Sequence, residues 1–221
     1  QFGIGYNLPF KNSNFHPIRK LKLSYKGRAA STSLGMNQDF TDHEITIDAG
    51  IAPFYDIFGL NLDNFLVTNQ TTLEWLNGNY LEQYQPGIDS YENIPISGGV
   101  ISRRRYIRGV EKTLIGDQLL VTKSELWAKV SDDFKMSFIF GFPILDLKYT
   151  GVGGWFDYGK LWLNGQNNSP RTFKTMGYEI KGVLNILTIP TIQRFGKAFD
   201  MDGNSRGYYY QVEIPFYQNL Y

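Results

Sequence analysis

The chain has no cysteine, so neither a disulfide framework nor a thiolate metal site can be built from it. Histidine is nearly missing too, with only His16 and His43. His16 precedes a proline at an expected turn. Asp39, Asp42 and His43 could imitate a metal cluster, but they read more simply as a loop of turn formers, and no metal site is expected. No apolar run reaches the roughly 18 residues that a transmembrane helix needs. That absence does not exclude a β-barrel, which requires apolar residues only at every second position. Neither sign of charge dominates: 22 basic residues stand against 21 acidic ones, a net +1, which gives no support to nucleic-acid binding. Signatures of catalysis are missing as well. There is no G-x-S-x-G, no phosphate-binding loop, no G-x-G-x-x-G opening a helix, and no carboxylate pair with a place in a cleft. No enzyme and no cofactor are expected. The stretch from Asp200 to Asn204 begins like a calcium loop but lacks the later acids, so a solvated turn is expected there.

What the chain has is aromatics and alternation. Tyr and Phe number 15 and 16, Gly numbers 23, and long helical stripes are absent from its 221 residues. Phe2, Ile4, Tyr6 and Leu8 alternate with small or polar partners. Leu21, Leu23 and Tyr25 alternate with Lys20, Lys22, Ser24 and Lys26, and Ile45, Ile47, Ala49 and Ile51 with Thr46, Asp48 and Gly50. Leu120, Thr122, Ser124, Leu126, Ala128 and Val130 face away from Lys123, Glu125 and Lys129. Further strands are expected over 136–149, 152–163, 176–189 and 208–216. Turns rich in Asn, Asp, Gly and Ser are expected over 11–14, 131–133, 164–170 and 200–205. Residues 1–221 read as one all-β unit. Many aromatics, among them Tyr25, Trp75, Trp155, Trp162, Tyr178 and Tyr208, fall near expected strand ends, where interfacial girdles occur. The lysine face of the second segment suits either a water-exposed sandwich surface or a wet barrel lumen.

Two segments carry more specific information. In the first, Gly98-Gly99 is followed by Arg103, Arg104 and Arg105, then by Ile107-Arg108-Gly109-Val110. In the second, from Gly153 to Trp162, aromatics alternate with small or polar residues around one acid, Asp157. Physically these are a long cationic loop and a strand able to present a single carboxylate to it. Between them, Glu125 sits in a Ser-Glu-Leu strand.

In order and spacing, these motifs resemble the late barrel region of the outer-membrane assembly and translocation superfamily, the BamA/TamA, bacterial surface antigen and two-partner secretion type. Its V/I-R-G-F/Y loop tip is matched by Ile107 to Val110 except for the final aromatic, and the segment around Asp157 resembles its F-x-D-x-G-x-x-W strand, with Trp155 at the position of the Phe. The stretch from Met176 resembles the penultimate strand of that family. The resemblance implies an antiparallel transmembrane β-barrel in the bacterial outer membrane, with this chain as the C-terminal half, about eight to ten strands, of a sixteen-stranded barrel. The chain opens at Gln1 without a recognisable leader and is expected to be a fragment. Residues 1–94 would supply earlier strands, 95–118 a long inward-folding loop, and 119–221 the last strands. Arg108, beside Gly109, would pair with Asp157, with Glu125 as a second acceptor, forming a structural latch. The last strand, with Tyr208, Tyr210, Val212, Ile214 and Phe216, would form a weak seam, loosened by Gly207 and Pro215. The implied function is insertion of barrel proteins or export of polypeptide. The implied partners are outer-membrane lipid and lipopolysaccharide, client polypeptides and accessory envelope proteins. Three other readings stay open on the residues: a barrel that only anchors an upstream passenger or enzyme, a small complete barrel, and a soluble β-sandwich that binds carbohydrate. The simpler alternative to the latch is that Arg103, Arg104, Arg105 and Arg108 form a solvated or lipopolysaccharide-facing surface loop.

Overall fold

The computed structural model describes residues 2–9, 20–35, 38–53, 64–80, 85–89, 104–110, 114–136, 145–162, 170–186 and 189–213. Nine strands form one antiparallel sheet in the order β1-β2-β3-β4-β8-β9-β10-β11-β12. They are β1 (Phe2–Pro9), β2 (Lys20–Ala30), β3 (Phe40–Ile51), β4 (Phe65–Gly78), β8 (Gln118–Met136), β9 (Leu145–Trp162), β10 (Arg171–Ile186), β11 (Ile189–Asp200) and β12 (Ser205–Glu213). Each pairs with its neighbour in sequence, apart from the step from β4 to β8. That step brackets a second, three-stranded sheet of β5 (Gly87–Asp89), β6 (Arg104–Tyr106) and β7 (Leu114–Ile115). The segment expected to be a plain loop thus contains strands of its own, β6 parallel and β7 antiparallel to β5.

Period-2 alternation sorts the side chains onto two faces. Register places Ile4, Leu23, Ile47, Val67, Leu126, Val152, Ile180, Phe195 and Tyr210 on a common face, one or more from each of the nine strands, and all are exposed. The opposite face, called inner below, buries Asp42, Thr72, Glu74, Asp157, Glu179 and Lys181 together with Leu66, Leu119, Val121, Trp127 and Leu161. The polarity of burial is therefore the reverse of that in a water-soluble sheet, whose covered face is the apolar one.

Several expectations fail for identifiable reasons. Residues 131–133 continue β8 to Met136 instead of turning; a register shift between Lys129 and Ser131 inserts an extra residue there, so the polar cluster lies at a β-bulge. β4 was not expected as a strand, because Asn69, Gln70, Thr71 and Thr72 put polar side chains on both faces at mid-strand and break the apolar period of its sequence, although its burial alternates. The expected strand over 176–189 is the greater part of β10, which begins at Arg171, plus the first residue of β11, so the segment resembling a penultimate strand is third from last among the described strands. Asp42 and His43 belong to β3 and point to opposite faces: Asp42 pairs with Arg28 at 3.0 Å, and the His43 ring stacks on Trp75 at 5.0 Å. Only Asp39 behaves as a turn former, accepting the Thr32 backbone N–H at 2.6 Å. The turn after β11 is as expected, with the Asp200 carboxylate accepting the Asn204 N–H at 2.9 Å.

The small sheet is held against the inner face by apolar packing. Ile88 of β5 and Ile107 beyond β6 join Leu119, Val121 and Leu161 in a fully buried cluster, with Val110, Leu114 and Phe173 against it. Gly159 makes room for this contact, since a Cβ there would lie 2.0 Å from the Ile107 Cδ1 and 3.1 Å from the Ile88 Cδ1. Gly159→Val is therefore expected to expel the loop from the sheet while leaving the strands paired. Limited proteolysis should show faster cleavage between β4 and β8 with unchanged β-sheet circular dichroism; unchanged protection would refute the packing account.

A buried ion cluster as the candidate functional site

Ile107 to Val110 form a tight turn, closed by the Val110 N–H donating to the Ile107 carbonyl at 3.2 Å. Gly109 has φ 79° and would, with a Cβ, come within 2.9 Å of the Ala198 Cβ on β11. Both the left-handed backbone and the close approach call for glycine. The turn aims Arg108 into the inner face, where only 2% of it stays exposed, and Asp157 beneath it is fully buried.

The structure brings Arg108, Asp157 and Glu125 together. Arg108 Nε donates to Asp157 Oδ2 at 2.9 Å and Nη2 to Oδ1 at 2.5 Å, a bidentate fork. The Arg108 backbone N–H also donates to Asp157 Oδ2, at 3.0 Å, so this carboxylate fixes the main chain of the loop as well as its side chain. Nη1 donates to Glu125 Oε1 at 2.8 Å. The guanidinium lies 4.2 Å from the Trp155 ring centroid, close enough for a cation–π contact. Trp155, expected in an interfacial girdle, is thus buried on the inner face, and the aromatic partner of the loop arginine comes from β9 in place of the residue after Gly109. Val110 packs in the apolar cluster.

Five participants were missed in the sequence. Arg194 on β11 donates through Nη1 to Glu125 Oε1 at 3.1 Å and to Glu179 Oε1 at 2.8 Å, bridging two strands. Glu179 Oε2 lies 3.7 Å from Arg108 Nη1 and accepts the Tyr209 hydroxyl at 2.5 Å. Trp127 Nε1 donates to the second oxygen of Glu125 at 2.8 Å, and Lys181 lies 5.2 Å from the Trp127 ring. For Glu179 and Lys181 a signal existed, since they alternate with Met176, Tyr178 and Ile180. Arg194 and Tyr209 follow only from the pairing of β10, β11 and β12.

The base of the loop is pinned separately. The Asp117 N–H donates to the Trp162 carbonyl and its own carbonyl accepts the Leu76 N–H, both at 2.9 Å, while its carboxylate accepts the Tyr80 hydroxyl and, at 3.2 Å, the Gln85 amide. Burial, followed by the Asp117 carboxylate, pushes the Tyr80 phenol up to about 12. Gly98 and Gly99 lie outside the described residues, as do Ile214, Pro215 and Phe216. Tyr208, Tyr210 and Val212 stand exposed on the outer face of β12, where Gly207 has φ 96° beside a register shift between Ala198 and Phe199. No group of His, Cys, Asp and Glu suited to a metal occurs among the described residues. No protein-family model matches the chain, and no curated protein matches it.

Chemically the cluster is a clamp. Every carboxylate in it is already engaged by a guanidinium, an indole or a phenol, and its geometry serves to hold a loop and five strands in one arrangement. Removing one partner of a buried ion pair leaves the other desolvated and unpaired, at a cost of about 3–5 kcal/mol. Arg108→Ala and Asp157→Asn are each expected to destabilise by about that amount in denaturant titrations, and the double variant by little more than either; additive losses would mean that the two groups act independently. Arg108→Lys, which keeps the charge and loses the fork, should behave much more like the alanine variant than like the parent.

The phenol makes a separate prediction. A raised folded-state pKa stabilises fully below the unfolded value near 10, and that contribution is lost as pH rises toward about 12. Proteolytic protection of the loop base should fall over that window in the parent and lose this pH dependence in Tyr80→Phe. Identical profiles would separate Tyr80 from loop anchoring.

Proposed function

We propose that this chain is part of the wall of a bacterial outer-membrane β-barrel of the assembly and translocation superfamily, with the segment between β4 and β8 folded inward and latched by Arg108. The observation that carries this reading is the inverted burial. Apolar side chains are exposed on all nine strands of one sheet face, while ions are buried against the other. Water-soluble monomers rarely expose apolar patches beyond a few hundred Å². In a bilayer such a face is solvated by lipid, and the polar face lines a lumen. Strand length agrees: β8, β9 and β10 have 19, 18 and 16 residues, beyond the roughly 9–11 needed to cross, so their ends project past the apolar slab. A soluble carbohydrate-binding sandwich gives no reason for this face to be apolar.

In this reading β1 and β12 end the strand order and would meet further strands of the same barrel, and the function is to insert barrel proteins into the membrane or to export polypeptide through the lumen. The latch supports that role, because a loop held by a few concentrated ionic contacts can occupy a lumen in one fixed position. Cell fractionation of the native protein, with gels run on boiled and unboiled samples, should place it in the outer membrane with heat-dependent mobility. A soluble, boiling-insensitive protein would overturn the reading. Depleting the protein should lower the amounts of other heat-modifiable barrels or of exported polypeptide; unchanged amounts would leave only an anchoring role. Leu126→Arg, on the outer face, should destabilise refolding into vesicles by about 2–4 kcal/mol if it lies near mid-bilayer. A water-exposed site would show almost no effect.

A further inference from the structure

On the outer face the positive charge is segregated. Register puts Lys160 of β9, Lys174 of β10 and Lys197 of β11 on that face, on three adjacent strands, and among the described residues no carboxylate of that face lies at their end of these strands. All three lie near the same end of the sheet, where the segment between β4 and β8 emerges: Lys160 is two residues from the end of β9, Lys174 three from the start of β10, and Lys197 three from the end of β11. Ammonium groups on a lipid-facing surface are least costly where the apolar slab gives way to headgroups.

Aromatic rings support two of the three. Lys160 Nζ lies 5.0 Å from the Trp162 ring centroid, and Lys197 Nζ lies 5.3 Å from that of Phe199 and 5.1 Å from that of Tyr208. Lys174 stands exposed between them. Among the described residues none of the three has an ion-pair partner, whereas the lysines and arginines of the latch lie among carboxylates. Three ammonium groups, with aromatics at headgroup depth and no anion from the protein, complement a multiply charged anion from the bilayer surface. An ammonium is a compact point charge well suited to phosphate.

We propose that Lys160, Lys174 and Lys197 form a binding site for the phosphates of an anionic lipid headgroup in the leaflet on the side of the long β4–β8 segment. The site rests on the membrane-barrel reading above and adds to it a ligand class and the residues that hold it. The test uses the full protein in phosphatidylcholine nanodiscs carrying either bisphosphorylated lipid A or its dephosphorylated form, with retained lipid measured by native mass spectrometry. Lys160→Gln/Lys174→Gln/Lys197→Gln should bind the phosphorylated lipid about tenfold or more weakly than the parent. It should match the parent on the dephosphorylated form. The triple Arg variant should restore binding, and Lys22→Gln, on the inner face, should leave it unchanged. Equal retention by the parent and the triple Gln variant would overturn the site. Displacement by inorganic phosphate at matched phosphate concentration would also overturn it, by showing an ion site in place of a lipid one. Heat-dependent gel mobility of the same samples separates the two failures. Folded, heat-modifiable protein with equal retention removes the lipid site alone, and failure to enter the bilayer removes the barrel reading with it.

Discussion

The rest of this architecture depends on the desolvation of one guanidinium. Arg108 sits on a loop, yet only 2% of it is exposed. A buried cation is tolerated only when anions and hydrogen-bond acceptors replace its water. Those acceptors come from β8 and β9, with Glu179 of β10 within 3.7 Å, and the register of β11 brings Arg194 in to balance Glu125 and Glu179. Slipping any of these strands by one residue would turn its charged member to the outer face and strand the others. The loop and the strand register therefore specify each other. The same exchange explains the choice of arginine, since a fork bonded to both oxygens of Asp157 fixes orientation as well as distance.

Around that cluster the two faces of the sheet differ in what they bury and what they expose. The inner face is neither a water-exposed surface nor an apolar core. It buries charges beside Trp127, Trp155 and Leu119, with the small sheet laid across part of it. The outer face carries the side chains that usually fill a core. A protein with this distribution has its strongest specificity inside and its weakest outside, where any apolar side chain of suitable size serves.

Legibility in the sequence follows the same division. Alternation made β1, β2, β3 and the first half of β8 readable, because apolar side chains recur at every second position over much of each. The pairing of Arg108 with Asp157 and Glu125 was readable because the order and spacing of their motifs resemble those of outer-membrane assembly barrels, and because a guanidinium in a confined site needs a carboxylate partner. β4 was not readable, since its polar centre has no period. β11 was hidden by its short connection to β10, and with it Arg194. Trp155 was misplaced because sequence position near an expected strand end says nothing about which face a residue occupies; its burial follows from the parity it shares with Asp157 on β9. Charges placed by pairing three strands away are invisible to any local pattern.

The cluster also ties the last described strand to the loop. Tyr209 of β12 donates to Glu179, Glu179 accepts from Arg194, Arg194 shares Glu125 with Arg108, and Arg108 holds the loop through Asp157. β12 ends the strand order, and β11 is its partner along the backbone ladder. Backbone pairing alone would leave such a strand indifferent to what happens in the interior. The phenol removes that indifference, because displacing β12 takes a donor from a buried carboxylate and unbalances the charges that remain. Bonds within a shared buried network reinforce one another, since the low dielectric that strengthens each makes every unpaired member expensive. The docking of the loop and the attachment of the edge strand are for that reason two parts of one electrostatic unit.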